Sequence, residues 1–461
     1  MSLNSISPID GRYKKYTEKL SAFFGERASM KYKIITEGEY LITLSETKGL
    51  NLRKFSAKEK NLIRDLYNLD NEGADMINKI ELTGYKNIKA TEHDFKAIEY
   101  YIKEKLGNSS LKNVLEFVHF GLTTEDATNI AYALMISESL KEVYIPTLED
   151  VINKIGKLAK ENKNAPMLAR THGQPASPTT FGKEMKIFEE RLKRQLNQIR
   201  NHKILVKMNG ATGNYNALIV AYPKVNWIEF SQKFITKLAK ERRVKIATNL
   251  YTTQIEPHDS YIELFDMMRR ANTILIDMNQ DIWRYISDGW IGQKAVEGEV
   301  GSSTMPHKIN PLFLENSEGN LGVANAFFEF FGRKLPISRL QRDLSDSTVQ
   351  RNIGSSFAHS LIALEYLKRQ LGRIKVNKEN MEKDLNNHPE VITEAIQTIL
   401  RREGEKMPYE KLKELTRGKT VTLADIHIFI KNLKIDEKIK KELLKITPKN
   451  YTGLASKLAS R

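Results

Sequence analysis

Apolar residues spaced three and four positions apart dominate the middle of the chain. Segment 258–288 contains neither glycine nor proline, and apolar residues recur at this spacing from 262 to 286. Such a period over some eight turns predicts one long amphipathic helix. Similar stripes at 185–199 and 321–335 predict two more long helices. We therefore expect a central bundle of long helices that pack side by side.

Pro146 can open a fourth helix, because proline is favoured in a first turn and the residues after it keep the apolar spacing. Strand-like alternation is rare, and its best example, at 244–255, is weak. The pattern predicts an all-α protein with three helical domains. We place them at 1–118, 119–370 and 371–461, with the long helices in the central domain.

Composition limits the possible chemistry. The 461 residues are 40% hydrophobic and 28% charged, which is typical of a globular enzyme. The absence of cysteine excludes disulfides, thiolate nucleophiles and cysteine zinc sites. Residues 1–16 lack an apolar signal region, and the longest apolar run, 130–136, is too short to cross a bilayer. We expect a cytoplasmic protein with no membrane partner.

The net charge of +16 has two interpretations. It suits a protein that binds nucleic acid or an anionic metabolite. It equally suits a lysine-rich surface with no special partner, since the lysines are interleaved with acids in segments such as K-I-K-K-E at 438–442. A nucleic-acid-binding protein would concentrate basic residues on one face. The scatter along this chain favours the second interpretation.

Two short polar segments, T-E-H-D at 91–94 and G-L-T-T-E-D at 121–126, each precede a helical pattern. Thr91 as an N-cap and Asp94 as a first-turn acid explain the first segment without any function. In the second, the hydroxyls of Thr123 and Thr124 and the free N–H groups of a helix start can bind a carboxylate or phosphate. Helix capping explains this segment equally well.

A third segment, R-T-H-G-Q-P at 170–175, carries a histidine among polar neighbours. We expect Gly173 and Pro175 to break a helix there and leave His172 at a turn. A histidine in this setting can act as a general acid near neutral pH, although many loop histidines are only surface residues.

The segment G-S-S-T-M-P-H-K-I-N-P at 301–311 carries the strongest chemical signal. Its glycine and prolines predict a loop, and Pro311 is placed to open the phenylalanine-rich helix that follows. Ser302, Lys308 and Asn310 bring a hydroxyl, a cation and an amide into this loop without a structural need for them. A serine becomes a base only when a nearby cation or dipole stabilises its alkoxide, and Lys308 can contribute to that. A solvated lid without chemistry is the alternative.

This loop resembles the signature of the fumarase/aspartase lyase superfamily. Within it, the chain resembles the adenylosuccinate lyase family in its bacterial-type form over nearly its whole length. The matching blocks are S-P-I-D-G-R-Y at 7–13, T-E-H-D, R-T-H-G-Q-P-A, G-N-Y-N at 213–216, Y-T-T-Q-I-E-P-H at 251–258, S-R-L-Q-R-D-L-S-D-S-T at 338–348 and P-Y-E-K-L-K-E-L-T-R-G-K at 408–419.

The resemblance implies a homotetramer with a 20-helix core and active sites shared between subunits. It also implies reversible elimination of fumarate from adenylosuccinate to give AMP, and from the succinylcarboxamide ribotide of purine synthesis, without a metal or organic cofactor. Ser302 would be the base and His172 the acid. Lys308 would stabilise the carbanion, and His93 would support catalysis beside the substrate.

The resemblance also implies a set of substrate-binding residues, some of which have a catalytic role as well. Glu92 and Thr124 depart from the residues that are common in the family, so a nucleotide contact by Glu92 is the less secure inference. The expected substrate-binding residues are Arg12, Tyr13, Glu92, His93, Asp94, Thr123, Thr124, Gln254, Ser303, Lys308, Asn310, Asn316, Arg342, Ser347, Thr348 and Arg351.

Three alternatives to this function remain at this point. A sister enzyme of the argininosuccinate lyase type would differ only in its leaving group. A basic helical protein that binds nucleic acid is disfavoured by the scattered lysines. A superfamily member without activity would be expected to lack Ser302, His172 or Lys308, and all three are present.

Overall fold

The computed structural model describes residues 4–294, 305, 307–418 and 420–461. Within them, α-helices form most of the regular structure. The helices are α1 (Lys14–Thr17), α2 (Ser21–Phe24), α3 (Glu26–Glu46), α4 (Ala57–Asp65), α5 (Asn71–Leu82), α6 (Asp94–Leu106), α7 (Thr124–Ser139), α8 (Ile145–Glu161), α9 (Phe181–Asn201), α10 (Asn216–Ala221), α11 (Trp227–Arg242), α12 (Asp259–Ser287), α13 (Leu312–Lys334), α14 (Ser345–Gln350), α15 (Ile353–Leu371), α16 (Lys378–Asn386), α17 (Thr393–Arg402), α18 (Pro408–Thr416), α19 (Leu423–Asn432), α20 (Glu437–Leu443) and α21 (Ala455–Ala459).

Three short pairs of strands accompany these helices in the described part of the chain. Strands β1 (Pro166–Thr171) and β2 (Gln174–Thr180) form an antiparallel hairpin. Strands β3 (Ile204–Val206) and β4 (Ile246–Thr248) pair in parallel. Strands β5 (Ile291–Gln293) and β6 (Ile374–Val376) are antiparallel. The prediction of an all-α fold is confirmed, and the weak alternation at 244–255 corresponds to β4 alone.

The predicted long helices are confirmed as α9, α12 and α13. The helix predicted at Pro146 is α8, and Pro146 lies in its first turn. A π-helical turn, Leu140–Tyr144, joins it to α7, so the chain does not leave the helical conformation before the proline. None of the described helices is long and apolar enough to span a membrane.

The chain divides into two compact units, each assembled from three separated segments. Unit 1 comprises Met1–Leu148, Gln195–Asn272 and Gly319–Ala363. Unit 2 comprises Glu149–Arg194, Thr273–Glu318 and Leu364–Arg461. The three-domain division at 118 and 370 stays a prediction.

Each unit has its own apolar core. In unit 1, Phe265 of α12 is buried and stacks on Phe328 of α13 with ring centroids 5.4 Å apart. In unit 2, Met278 and Ile282 of α12 are buried, as is Phe181 at the start of α9. Burial of such side chains contributes about 1.5–3 kcal/mol each, and this apolar contact stabilises the helices more than intrinsic propensity does.

Candidate active site

Unit 1 contains a cavity of about 880 Å³, a volume suited to a nucleotide-sized ligand. The ends of α6, α7 and α14 and the loop before α12 meet around it. Most of the unit 1 residues predicted to bind substrate line this cavity. They are Glu92, His93, Asp94, Thr123, Thr124, Gln254, Arg342, Ser347 and Arg351.

Asp94, at the start of α6, is held by a lysine that the sequence analysis did not single out. The Nζ of Lys33 lies 2.6 Å from the Asp94 Oδ2, and the Lys33 side chain is only 9% exposed. Burial alone would raise the pKa of Asp94, but the Lys33 ion pair outweighs it and holds that pKa below its ordinary value. The guanidinium of Arg351 approaches the same oxygen at 3.9 Å. One carboxylate thus links two cations of the cavity wall.

His93 is the N-cap of α6, because its Nδ1 accepts a hydrogen bond from the N–H of Lys96 at 3.3 Å. The interpretation of Thr91 as the N-cap is therefore wrong. The hydroxyl of Thr91 instead donates to the carbonyl oxygen of His93 at 3.1 Å. Glu92 has a φ of 48°, a conformation that non-glycine residues seldom adopt. This kink brings Glu92 and His93 to the cavity.

Thr123 is the N-cap of α7, and its N–H donates to the Oδ2 of Asp126 at 2.9 Å. Asp126 is fully buried, where it pairs with Lys207 at 2.7 Å and accepts from the N–H of Asn209 at 3.0 Å. The capping interpretation of G-L-T-T-E-D is confirmed. Thr123 and Thr124 nevertheless line the cavity, so the two interpretations are compatible.

Arg342 connects the cavity to the protein interior. Its Nη1 donates to the Oε1 of Gln254 at 3.4 Å and lies 3.3 Å from the Oε2 of Glu125. The Glu125 side chain is 1% exposed, and burial raises the pKa of this carboxyl to about 7 despite nearby cations. The guanidinium thus faces ligand space on one side and a buried acid on the other.

Behind Arg342 lies a buried cluster around His258, which has a φ of 64° and no exposed surface. Its Nε2 lies 3.6 Å from the Oδ2 of Asp346 and 3.3 Å from the amide nitrogen of Gln350. That amide nitrogen donates to the same Asp346 oxygen at 2.8 Å. Burial would raise the pKa of Asp346, but His258 and Arg342 outweigh it and lower that pKa. Because Gln350 also lines the cavity, the cluster supports its wall.

Three predicted residues of unit 1 are not among those that line the cavity. Arg12 is exposed, and Tyr13 is the N-cap residue of α1. Thr348 is exposed on α14, next to the lining residue Ser347. Their contacts with substrate stay predictions.

His172 lies in unit 2, at the tip of the β1–β2 hairpin. His172 and Gly173 form the two-residue turn, with φ of 53° and 75°, as expected for a type I′ hairpin turn. The expected break in a helix is therefore wrong, because Arg170 and Thr171 pair with Pro175 and Gln174 in the ladder. The turn itself is confirmed, and it exposes the His172 side chain.

Arg170, two residues before His172, anchors strand β1 close to the tip of this hairpin. Its guanidinium donates to the Oδ2 of Asp384 at 3.2 Å and lies 5.8 Å from the ring centroid of Trp290. Both partners belong to unit 2. The tip that carries His172 thus projects from an anchored strand.

The remaining predicted residues also belong to unit 2. Lys308 is exposed, while Asn310 and Asn316 are half-buried, the latter in the first turns of α13. Ser302 and Ser303 lie outside the described residues. The expectation that Pro311 opens the phenylalanine-rich helix is confirmed, because α13 begins at Leu312.

Five residues of this region are not predicted by the sequence motifs. Lys33 and Gln350 line the cavity, whereas Glu125, His258 and Asp346 are buried and do not line it. Lys33 carries no distinctive sequence signal, because it stands among both charged and apolar residues in M-K-Y-K-I-I. Glu125 and His258 belong to motifs that were quoted, but a sequence alone does not distinguish a buried acid from an exposed one.

Models of known protein families match most of the chain. A lyase family model matches residues 11–325, and an adenylosuccinate lyase C-terminal model matches residues 338–452. The adenylosuccinate lyase of Legionella pneumophila (strain Corby) is 46% identical over 99% of this chain and 98% of its own. That of Escherichia coli (strain K12) is 44% identical over 98% of this chain and 97% of its own.

Two solved structures share the fold at low identity. A fumarate lyase from Mesorhizobium sp. BNC1 superposes with a TM-score of 0.73 at 17% identity, covering 96% of each chain. A 3-carboxy-cis,cis-muconate lactonizing enzyme from Pseudomonas putida gives 0.72 at 16%, covering 97% of each. Together with the matches over the full length, these findings show that the chain is a lyase and belongs to the adenylosuccinate lyase family.

Proposed function

We propose that this enzyme eliminates fumarate reversibly from adenylosuccinate to give AMP, and from the succinylcarboxamide ribotide to give the carboxamide ribotide. The observation that carries the proposal is the 46% identity to an adenylosuccinate lyase over 99% of the chain. The proposal includes a cytoplasmic location and no nucleic-acid partner.

The cavity of unit 1 is the proposed nucleotide site. Arg342 and Arg351 present guanidinium groups to it, and a guanidinium fork fits phosphate oxygens well. Ser347, Thr123 and Thr124 add hydroxyls. We also assign Arg12 and Tyr13 to the phosphate of the nucleotide. Further substrate contacts are assigned to Glu92, Asp94, Gln254, Asn316 and Thr348.

The proposed chemistry uses one base and one acid. Ser302 removes the proton from the carbon next to a succinyl carboxylate, and the resulting carbanion delocalises onto that carboxylate. The bond between carbon and the purine nitrogen then breaks, its electrons pass to the nitrogen, and His172 protonates that nitrogen. Lys308, Asn310 and Ser303 stabilise the extra negative charge, and His93 positions substrate beside the acid.

The charges around the cavity favour active sites that subunits share. Among the described residues, its wall contains five carboxylates (Glu26, Glu81, Glu92, Asp94 and Asp343) but only three lysine or arginine side chains (Lys33, Arg342 and Arg351). A substrate with one phosphate and two carboxylates needs more positive charge than this. Neighbouring copies of the chain would supply it through Lys308 and His172.

Exposed apolar side chains of α13 support the same homotetramer. Val323 is 43% exposed and Phe330 is 45% exposed, and their spacing of seven places both on one helical face. Ala326, between them, is exposed as well. An apolar strip of this kind is expected to be covered by another helix. In the proposed tetramer the covering helix belongs to the 20-helix core.

The direct test measures turnover by absorbance after the purified enzyme is mixed with adenylosuccinate or with argininosuccinate. Light scattering measures how many chains form the particle. We expect turnover of adenylosuccinate alone, by a particle of four chains. Turnover restricted to argininosuccinate would refute the proposed substrate. A fully active monomer would refute the shared sites.

A further inference from the structure

Glu125 is a buried acid with one cation in direct contact. Its side chain is 1% exposed, and neither carboxylate oxygen has a hydrogen-bond partner among the described protein groups. The Nη1 of Arg342 lies 3.3 Å from its Oε2, close enough for an ion pair. The charge of Glu125 therefore depends on its burial, on His258 and on where the Arg342 guanidinium lies.

Other titratable groups surround Glu125 on the elements packed against it. His258 and Lys207 favour its charged form, while Asp346 disfavours it. The hydroxyls of Tyr132 on α7 and Tyr261 on α12 are near enough to feel its charge. These groups have their own partners: Lys207 pairs with Asp126, and Asp346 accepts from Gln350. Of the described cations around Glu125, Arg342 is the one that lines the cavity and that a ligand can therefore contact.

Arg342 lines the cavity, whereas Glu125 does not. The guanidinium has a second contact at the cavity, the Oε1 of Gln254 at 3.4 Å. A dianionic phosphate that binds Arg342 would compete with the Glu125 carboxylate for the same charge. In a poorly solvated site this competition is strong, because few waters screen it.

We propose that ligand binding at Arg342 is coupled to proton uptake by Glu125, whose carboxylate accepts a proton from solvent as a phosphate takes over its cation. The inference rests on the proposed function, since it requires Arg342 to bind the phosphate of the nucleotide. No bond other than the new O–H bond forms, and the proton comes from water or buffer through the cavity.

The direction of the effect follows from the charges. The pKa of Glu125 is about 7 before a ligand arrives. Loss of its cation raises this pKa further, so binding takes up a proton and affinity falls as the pH rises above 7. The second ionisation of the phosphate, near pH 6, makes the ligand more negative and so raises its affinity as the pH rises. It therefore cannot account for an affinity that falls with rising pH.

Isothermal titration calorimetry with AMP tests the coupling. Titrations in two buffers of different ionisation enthalpy give the number of protons taken up. With a pKa of about 7, we expect uptake of up to about three quarters of a proton at pH 7.5. Glu125→Gln should bind AMP with this uptake lost, because an amide of nearly the same shape does not titrate.

Two variants serve as matched controls. Glu256→Gln removes a neighbouring buried acid that contacts Asn249 and His258, so the uptake should remain. His388→Asn removes a histidine of unit 2 that does not line the cavity, so the uptake should also remain. Equal uptake by the wild type and Glu125→Gln would overturn the inference.

The pH dependence of AMP affinity gives a second measurement that does not need the Glu125 variant to fold. For the wild type we expect the Kd to rise by up to about fivefold from pH 7 to pH 8, and the same for His388→Asn. A constant Kd would overturn the inference and leave the proposed function standing. No AMP binding, together with no turnover of adenylosuccinate, would overturn both.

Discussion

The cavity of unit 1 and the hairpin of unit 2 are built in opposite ways. Around the cavity, the groups that face a ligand are also structural: Asp94 pairs with Lys33, Arg342 pairs with Glu125, and Thr123 caps α7. His172 instead stands exposed at the tip of a two-residue turn. Because of this difference, substitutions at the cavity should affect both folding and ligand binding. Changes at the tip should affect only the chemical step.

The largest expected effect tests the base and the acid. Ser302→Ala and His172→Asn should each lower kcat for adenylosuccinate by about 10²- to 10⁴-fold, the usual range for loss of a general acid or base. Asparagine is chosen at 172 because it tolerates the left-handed conformation that alanine resists. Stopped-flow turnover measures kcat, and a thermal melt measures the melting temperature. Lys86→Asn, at another exposed residue with positive φ, is the control and should leave kcat unchanged.

A melting temperature lowered by several degrees in His172→Asn would show that the tip is structural after all. A normal kcat in either variant would place the base or the acid elsewhere.

The next largest effect is expected from removal of the Arg342 cation at the cavity. Arg342→Met removes a charged hydrogen-bond donor worth about 1.5–3 kcal/mol, so KM for adenylosuccinate should rise by about 10- to 100-fold with a smaller change in kcat. The variant also leaves Glu125 without the cation beside it, so this carboxyl group should be neutral at pH 7. Steady-state kinetics measures the split between KM and kcat. A fall in kcat alone, with KM unchanged, would show that Arg342 does not contribute to binding of the substrate in its ground state.

A moderate effect is expected for Lys33→Met, which leaves Asp94 without its lysine. The free energy of unfolding should fall by about 1–3 kcal/mol, less than for a fully buried pair because Asp94 is 37% exposed. Urea denaturation measures it, and Lys33→Met combined with Asp94→Asn should recover part of the loss. No loss in the single variant would mean that Asp94 is stabilised by other groups.

The pH dependence of this pair has a defined sign. The folded pKa of Asp94 is lowered from its ordinary 3.8, so the stabilisation is present above that value. It is lost as the pH falls through the lowered pKa. The difference in stability between the wild type and Lys33→Met should therefore shrink below about pH 4.

The smallest effect is expected at the Arg170 anchor of the hairpin. Asp384→Asn weakens a partly exposed ion pair with Arg170, so the free energy of unfolding should change by less than about 1 kcal/mol. The same variant should keep kcat within a factor of a few. A loss of kcat as large as that of His172→Asn would show that the anchor positions the acid, and the contrast between the two regions would then be weaker.

The sequence by itself determined the long helices, because their apolar period and their lack of glycine and proline leave little other choice. It also determined the family, through motifs such as R-T-H-G-Q-P and the loop at 301–311. The sequence also located the turn at His172 but placed it in a broken helix. The six residues of R-T-H-G-Q-P do not by themselves show that the segments on either side of the turn pair as strands.

Only the tertiary structure decided which polar residues share a cavity and which acids are buried. Glu125 and Asp126 are neighbours in G-L-T-T-E-D, yet one contacts Arg342 and the other Lys207. These partners lie some eighty residues or more away along the chain, and no local period encodes them. Burial and long-range pairing set the charge of such groups, so their chemistry exists only in the folded chain.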